Sequence, residues 1–203
     1  MKYLANPLKS ALLIAAFFFL STGLSGAAEY AIDPAHSQVL FKIKHLGIST
    51  VTGTFEKLSG TIAFDPQNLK GTRAVATIEA ASVNTGVEKR DEHLRSPDYF
   101  HVEKFPQITF VAKEITAING NAFQVHGDLT LHGVTRPVIL AAELGGLLAE
   151  DPWGQARVAF SASTTLNRKE FGLAVETGDL ILGEHVQILI EVEGILNKEV
   201  SAQ

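Results

Sequence analysis

Along most of the chain, apolar side chains return at every second position. Val39, Phe41 and Ile43 alternate with Leu40, Lys42 and Lys44; Ile62 and Phe64 with Thr61, Ala63 and Asp65. Ala74, Ala76, Ile78 and Ala80 alternate with Val75, Thr77 and Glu79, and Ile108, Phe110 and Ala112 with Thr109, Val111 and Lys113. Val125, Gly127, Leu129 and Leu131 share one phase, Val158, Phe160, Ala162 and Leu166 another, and Val186, Ile188, Ile190 and Val192 a last one. A period of two puts each set on one face of a strand. Turn chemistry separates the runs. Asn119-Gly120-Asn121 is a tight hairpin signal, because Asn and Gly tolerate positive φ. Asp65-Pro66 to Gly71, His132-Gly133 to Pro137, and Asp151-Pro152-Trp153-Gly154 predict longer turns. Strands joined by short turns pair antiparallel, and the spacing predicts about eight of them in a sandwich or barrel.

One stretch breaks the alternation. Val87 to Phe105 is dense in charge, with Ser96-Pro97 at its centre. It predicts a short helix over Glu88 to Arg95 and a further helical turn over Val102 to Phe105. A connection of this length within strands suits a lid, with Leu94, Tyr99, Phe100 and Phe105 facing an opening and its Arg and Lys paired to Asp and Glu. The inward phase carries Ala74, Ala76, Ala80, Ala112, Gly127, Ala142 and Ala162. Small residues there either leave a tunnel for a long apolar ligand or interdigitate with large ones in a filled core. The pattern leaves both open.

The start of the chain changes its class. Lys2 and Lys9 precede the uncharged run Ala11 to Leu20, followed by the small cluster Ser25-Gly26-Ala27-Ala28. This is the layout of a cleavable secretory signal, and about 10 apolar residues fall short of the roughly 20 that a spanning helix needs. The expected organisation is a signal peptide over 1–28, one barrel domain over 29–197 and a flexible tail over 198–203. Cleavage after Ala27 or Ala28 gives a periplasmic protein. Cutting after Ala28 takes the net charge from −5 to −7, because Lys2 and Lys9 leave and no acid does. An acidic balance argues against nucleic acid. There is no cysteine, which excludes disulfides, cysteine metal sites, thiol nucleophiles and a lipidated cysteine anchor.

Candidate chemistry is thin. The seven histidines are scattered. His126 and His132 stand about 20 Å apart by strand rise, too far for one ion, although His93 and His101 could approach each other. No pair has the helical spacing of a zinc protease, so no metal is expected. There is no Gly-x-Ser-x-Gly, and Gly145-Gly146 is not followed by a phosphate-loop lysine.

Five segments carry a specific likeness: Phe41 to Phe55, Ala81 to Phe100, Val102 to Phe110, Gly127 to Pro137 and Phe160 to Leu173. Through them the chain resembles the YceI-like family of bacterial periplasmic proteins, over most of Tyr30 to Leu196. The resemblance implies a lipocalin-like, all-β antiparallel barrel with a helical insertion over one mouth. It implies no catalysis and no cofactor, but a non-covalent amphiphilic lipid, a polyisoprenoid or isoprenoid quinone, in the barrel. Joined to the phase argument, this assigns ligand contact to Phe41, Ile43, Phe64, Ala76, Ile78, Leu94, Phe100, Phe110, Gly127, Leu129, Leu131, Phe160 and Ile188. A stress-related interaction protein with a self-filled barrel is the alternative, and a lipid hydrolase or isomerase a third class. Transient contact with a membrane or a membrane protein, and homodimerisation, stay open.

Overall fold

The computed structural model describes residues 26–197. The expected tail lies outside them, as does the expected leader apart from Gly26, Ala27 and Ala28. Among the described residues, eleven strand segments form one antiparallel sheet that closes on itself. They are β1 (Ala28–Ile32), β2 (Gln38–His45), β3 (Ser49–Phe55), β4 (Leu58–Phe64), β5 (Arg73–Glu79), β6 (Val83–Asn84), β7 (Gln107–Asn119), β8 (Ala122–Leu131), β9 (Val134–Leu148), β10 (Arg157–Asn167) and β11 (Leu182–Leu196). One α-helix stands among the described residues, α1 (Glu88–Arg95), with the bounds that the sequence predicts.

Eleven segments make eight staves, because six of them are the halves of three broken strands. β1 and β2 lie one after the other along the same edge of β11, at Tyr30↔Leu196 and Val39↔Ile190. β3 and β4 follow against them, at Val39↔Phe55 and Tyr30↔Ile62. β5 and β6 do the same, at Leu58↔Ile78 and Phe55↔Val83. Buried Ser82 holds the second and third breaks together: its hydroxyl accepts from the Lys57 amide (3.1 Å) and donates to the Glu79 carbonyl (2.7 Å). The remaining staves run in chain order, and β1 pairs with both β4 and β11, so the ring has no open edge there. Closure satisfies backbone groups that an edge strand would leave bare.

The meander gives the barrel two ends. At the base lie the connections 65–72, 120–121 and 149–156; at the mouth lie 46–48, the long segment 85–106, 132–133 and 168–181. Two expectations need correction here. The turn after β8 is only His132-Gly133, both at positive φ, and Val134 to Pro137 already belong to β9. Pro137 fits a strand because β10 pairs only with the Ala141–Leu148 part of β9, leaving Val134–Leu140 with one partner. Val102 to Phe105 is one turn and not a helix, closed by the Phe105 amide on the His101 carbonyl (2.9 Å).

Candidate ligand cavity and its mouth

The barrel is hollow. A cavity of about 480 Å³ runs inside it, a size common for small-molecule sites. Small side chains on facing staves keep it open: Ala74 and Ala76 on β5, Ala112 on β7, Ala142 on β9 and Ala162 on β10 all line it. Larger apolar groups fill the wall between them, including Phe41, Ile43, Ile78, Phe110, Leu129, Leu131, Phe160 and Ile188. Leu94, Tyr99 and Phe100 reach it from the helical segment.

Two of the expected contact residues stand elsewhere. Phe64 is 1% exposed and lies outside the wall, its ring edge-on to Phe160 at 5.3 Å. It is a core residue behind a lining residue. Gly127 is in the inward phase but is covered: a Cβ there would stand 2.4 Å from Phe110 Cζ and 2.6 Å from the Val111 carbonyl oxygen. The glycine is the seat on which the Phe110 ring lies, and the ring, not the glycine, meets the cavity. Gly53 seats Phe41 in the same way, with a Cβ position 2.4 Å from Phe41 Cζ. Ala80 is also behind the wall, its amide bound to the Pro106 carbonyl at 2.9 Å. Phe105, expected over the opening, packs instead on His132 (centroids 4.6 Å apart) and against Gly133.

The polar groups of the lining gather at the mouth. His45, Thr85, Arg90, His93, Thr164 and Arg168 border the cavity there, and Thr72 alone does so near the base. The expected ion pairing within the helical run gives way to backbone tethers. Asp91 accepts from the Thr85 amide (2.9 Å) and hydroxyl (2.5 Å), and Arg90 Nε donates to that hydroxyl (2.7 Å). Arg95 donates to the carbonyls of Ala81 (2.8 Å) and Val83 (3.0 Å). The local setting is that Val87, the residue before α1, offers no capping side chain, and Asp91 folds back to anchor the turn that precedes the helix. His93 and Asp98 approach to only 3.7 Å, and both are largely exposed.

Arg168 is the group that the sequence reading missed. It is 3% exposed and donates to the carbonyls of Gly183, Leu173, Ala174, Thr177 and Leu182. Five donors on five carbonyls exhaust a guanidinium, so Arg168 fixes the 168–181 loop beside the mouth and has no N–H left for a ligand. Only the segment Asn167-Arg168-Lys169-Glu170-Phe171 hinted at it, and nothing in a linear pattern marks a cation as buried.

At the base a second arginine gathers acids. Arg157 Nε donates to Asp151 (2.6 Å), and its Nη1 to Asp33 (3.0 Å) and to Glu193. Asp33, His36 and Glu193 lie close enough to share a cation, and the guanidinium already supplies one there. A hydrogen bond from His36, assisted by the Ala35 amide and Arg157, holds the Asp33 carboxyl below the usual range. Burial pulls Asp151 upward, but Arg157 and the Gln155 and Trp153 amides outweigh it and leave its pKa lowered. Among the described residues the one histidine–hydroxyl hydrogen bond joins Thr116 and His126 (2.8 Å), on β7 and β8. His93 contacts Tyr99 and His101 contacts Phe105, so these two histidines have separate partners.

Comparison with known proteins places this geometry. The model of the YceI-like domain matches residues 30–194. The UPF0312 protein plu2095 of Photorhabdus laumondii is 40% identical over 188 residues, covering 92% of this chain and 96% of that protein. The crystal structure of Burkholderia cenocepacia BcnA superposes with a TM-score of 0.72 at 26% identity, over 80% of this chain and 98% of that one. A polyisoprenoid-binding domain from Saccharophagus degradans shares the fold, with a TM-score of 0.65 at 19% identity, over 84% and 99% of the two chains.

Proposed function

This chain belongs to the YceI-like family, and from that premise we propose that it is a periplasmic carrier holding an amphiphilic, isoprenoid-type lipid in its barrel. The observation that carries the reading is the cavity: an apolar space of about 480 Å³ whose polar groups collect at one end. A chain with a polar head fits such a gradient, tail inward and head at the mouth. Burial supplies the affinity, about 0.8 kcal/mol per methylene, so a dozen carbons give about 10 kcal/mol before ordering costs. The polyisoprenoid-binding domain with the same fold supports this ligand class. A wall with so few polar groups discriminates weakly between apolar tails, and selectivity then falls to the head.

The reading is of a binding protein rather than an enzyme. His93 at the mouth is hydrogen-bonded to no hydroxyl, and Arg168 is consumed by backbone carbonyls. The periplasmic location rests on the leader. Ala28 already pairs with Phe64, so cleavage after Ala27 would leave β1 whole. Solvent extraction of protein purified from the periplasm, followed by mass spectrometry, tests ligand and place together. The expected result is an isoprenoid-type lipid in stoichiometric amount on a chain beginning at Ala28 or Glu29. A bare protein would favour the self-filled barrel, and a chain retaining Phe17 to Leu20 would make the leader an anchor.

A further inference from the structure

A lipid carrier with an undiscriminating tail cavity must recognise its ligand by the head, and one donor group at the mouth is shaped for that. Arg90 borders the cavity from α1. Its Nε donates to the Thr85 hydroxyl (2.7 Å) and its Nη2 to the Thr85 carbonyl (2.9 Å). These two N–H groups are one planar fork of the guanidinium, the one on the Nε side. The fork at its far end, one N–H on Nη1 and one on Nη2, has no partner among the described residues.

The free fork is held in place. Thr85 has one hydroxyl proton, and it goes to the Asp91 carboxylate (2.5 Å), so that oxygen accepts from Arg90. The same carboxylate oxygen takes the Thr85 amide (2.9 Å), and Asp91 is buried. Arg90, Thr85 and Asp91 thus fix the guanidinium before any ligand arrives, which lowers the ordering cost of using it.

Net charge does not select the head. α1 carries Glu88, Asp91 and Glu92 against Lys89, Arg90 and Arg95. The selection comes from which groups face the cavity. Among the described residues, no Asp or Glu lines it. Asp91 is turned to Thr85, and Arg90 takes part in no ion pair among the described residues. Arg168, the other guanidinium of the lining, has its N–H groups on backbone carbonyls. Two parallel N–H groups match two oxygens of one carboxylate or phosphate. A cationic head would meet no carboxylate in the lining, and an alcohol or ketone offers one oxygen to two donors.

We propose that the outward N–H pair of Arg90 is the head-group site of the cavity, and that it takes an oxyanion, a carboxylate or a phosphate monoester, at the end of the apolar tail. This rests on the reading of the cavity as a lipid site, and the test separates the two.

The neutral dye phenylnaphthylamine is bound in the cavity of the purified protein and displaced by ligands that share a prenyl tail: geranylgeranyl phosphate, geranylgeraniol and geranylgeranylacetone. A second pair, phytanic acid and phytol, compares carboxylate with hydroxyl. In the wild type at least one oxyanion should displace the dye at a concentration at least about tenfold below that of its alcohol. The pair that shows the preference tells phosphate from carboxylate. In Arg90→Met the ratio should fall to within about threefold of one. Arg90→Gln, whose amide can still donate to the Thr85 carbonyl, should lose the preference as well. The ratio compares two ligands on the same protein, so a loss of stability in either variant does not mimic it. Equal displacement by oxyanion, alcohol and ketone in the wild type, or an oxyanion preference that survives in both variants, overturns the Arg90 site and leaves the carrier reading standing. If no ligand with any head displaces the dye, the carrier reading fails and takes the Arg90 site with it.

Discussion

At the base, three connections of modest length lie over aromatic packing, and Arg157 draws Asp33, Asp151 and Glu193 onto itself. At the mouth, four connections diverge, a helix lies across the gap left before β7 begins, and Arg95 and Arg168 spend their donors on backbone carbonyls. Both ends use buried or half-buried guanidinium groups, with opposite results. Side-chain carboxylates around Arg157 tie β10 to β11, to the connection after β1 and to the 149–156 connection. Carbonyls around Arg168 stiffen one loop and leave the space beside it empty. What differs is the supply of strand residues: at the base the ring β1–β4–β5 is complete, while above it β3, paired with β2 on one side, meets only the two-residue β6 on the other.

The sharpest break of that comparison is Phe64→Ala at the base. Phe64 is fully buried against Phe160, so truncation should cost about 3–5 kcal/mol, read as a lower denaturant midpoint. Bound lipid per folded molecule should stay nearly unchanged.

Acid should act on the base next. Asp33 and Asp151 have native pKa values below their unfolded ones, so the native state binds fewer protons. Their stabilisation is complete above the unfolded carboxylate value of about 3.9 and is lost as pH falls through the lower native values. Melting curves followed from neutral pH down to pH 2 should fall most steeply in that window, and Asp151→Asn should flatten the slope.

Changes at the mouth should touch exchange rather than stability. Phe100 lines the cavity and its ring meets Phe55 edge-on at 5.5 Å, so Phe100→Ala should speed transfer of a fluorescent prenyl lipid to acceptor vesicles by several-fold. His93→Ala should change retention least, since its one carboxylate neighbour is exposed and 3.7 Å away and such pairs contribute about 0–1 kcal/mol. Stopped-flow transfer measures both; loss of binding in His93→Ala with no change in Phe100→Ala would turn the lid into a head-group site.

The base and the staves are the more legible half of this sequence. Alternation in Ile108–Ala112 or Val186–Val192 reports a strand directly, and the charge-dense break at Glu88 reports α1 with its bounds. β9 is hidden, because Val138 to Leu148 reads as a near-continuous apolar run and Pro137 looks like a stop. β3 is hidden by its threonines, and β1 by the small residues that also suit a cleavage site. The phase argument finds the cavity wall but cannot tell a lining residue from one behind it. Phe64 and Gly127 share the inward phase with Phe160 and Leu129, and only the third dimension shows that one ring lies behind Phe160 and that Phe110 covers the glycine. The mouth is least legible, since His45, Thr85, Arg90 and Arg168 come from distant segments that meet only after closure.

The central claim is that the hollow between Ala76 and its facing staves is where the lipid lies. Ala76→Phe tests it most directly, because it adds volume inside the cavity at a residue that lines it. Native mass spectrometry of wild type and variant, prepared identically, should show a lipid adduct on the first that is absent from the second, with both barrels folded by circular dichroism. The same adduct on a folded Ala76→Phe protein, or no adduct on either, would contradict the account.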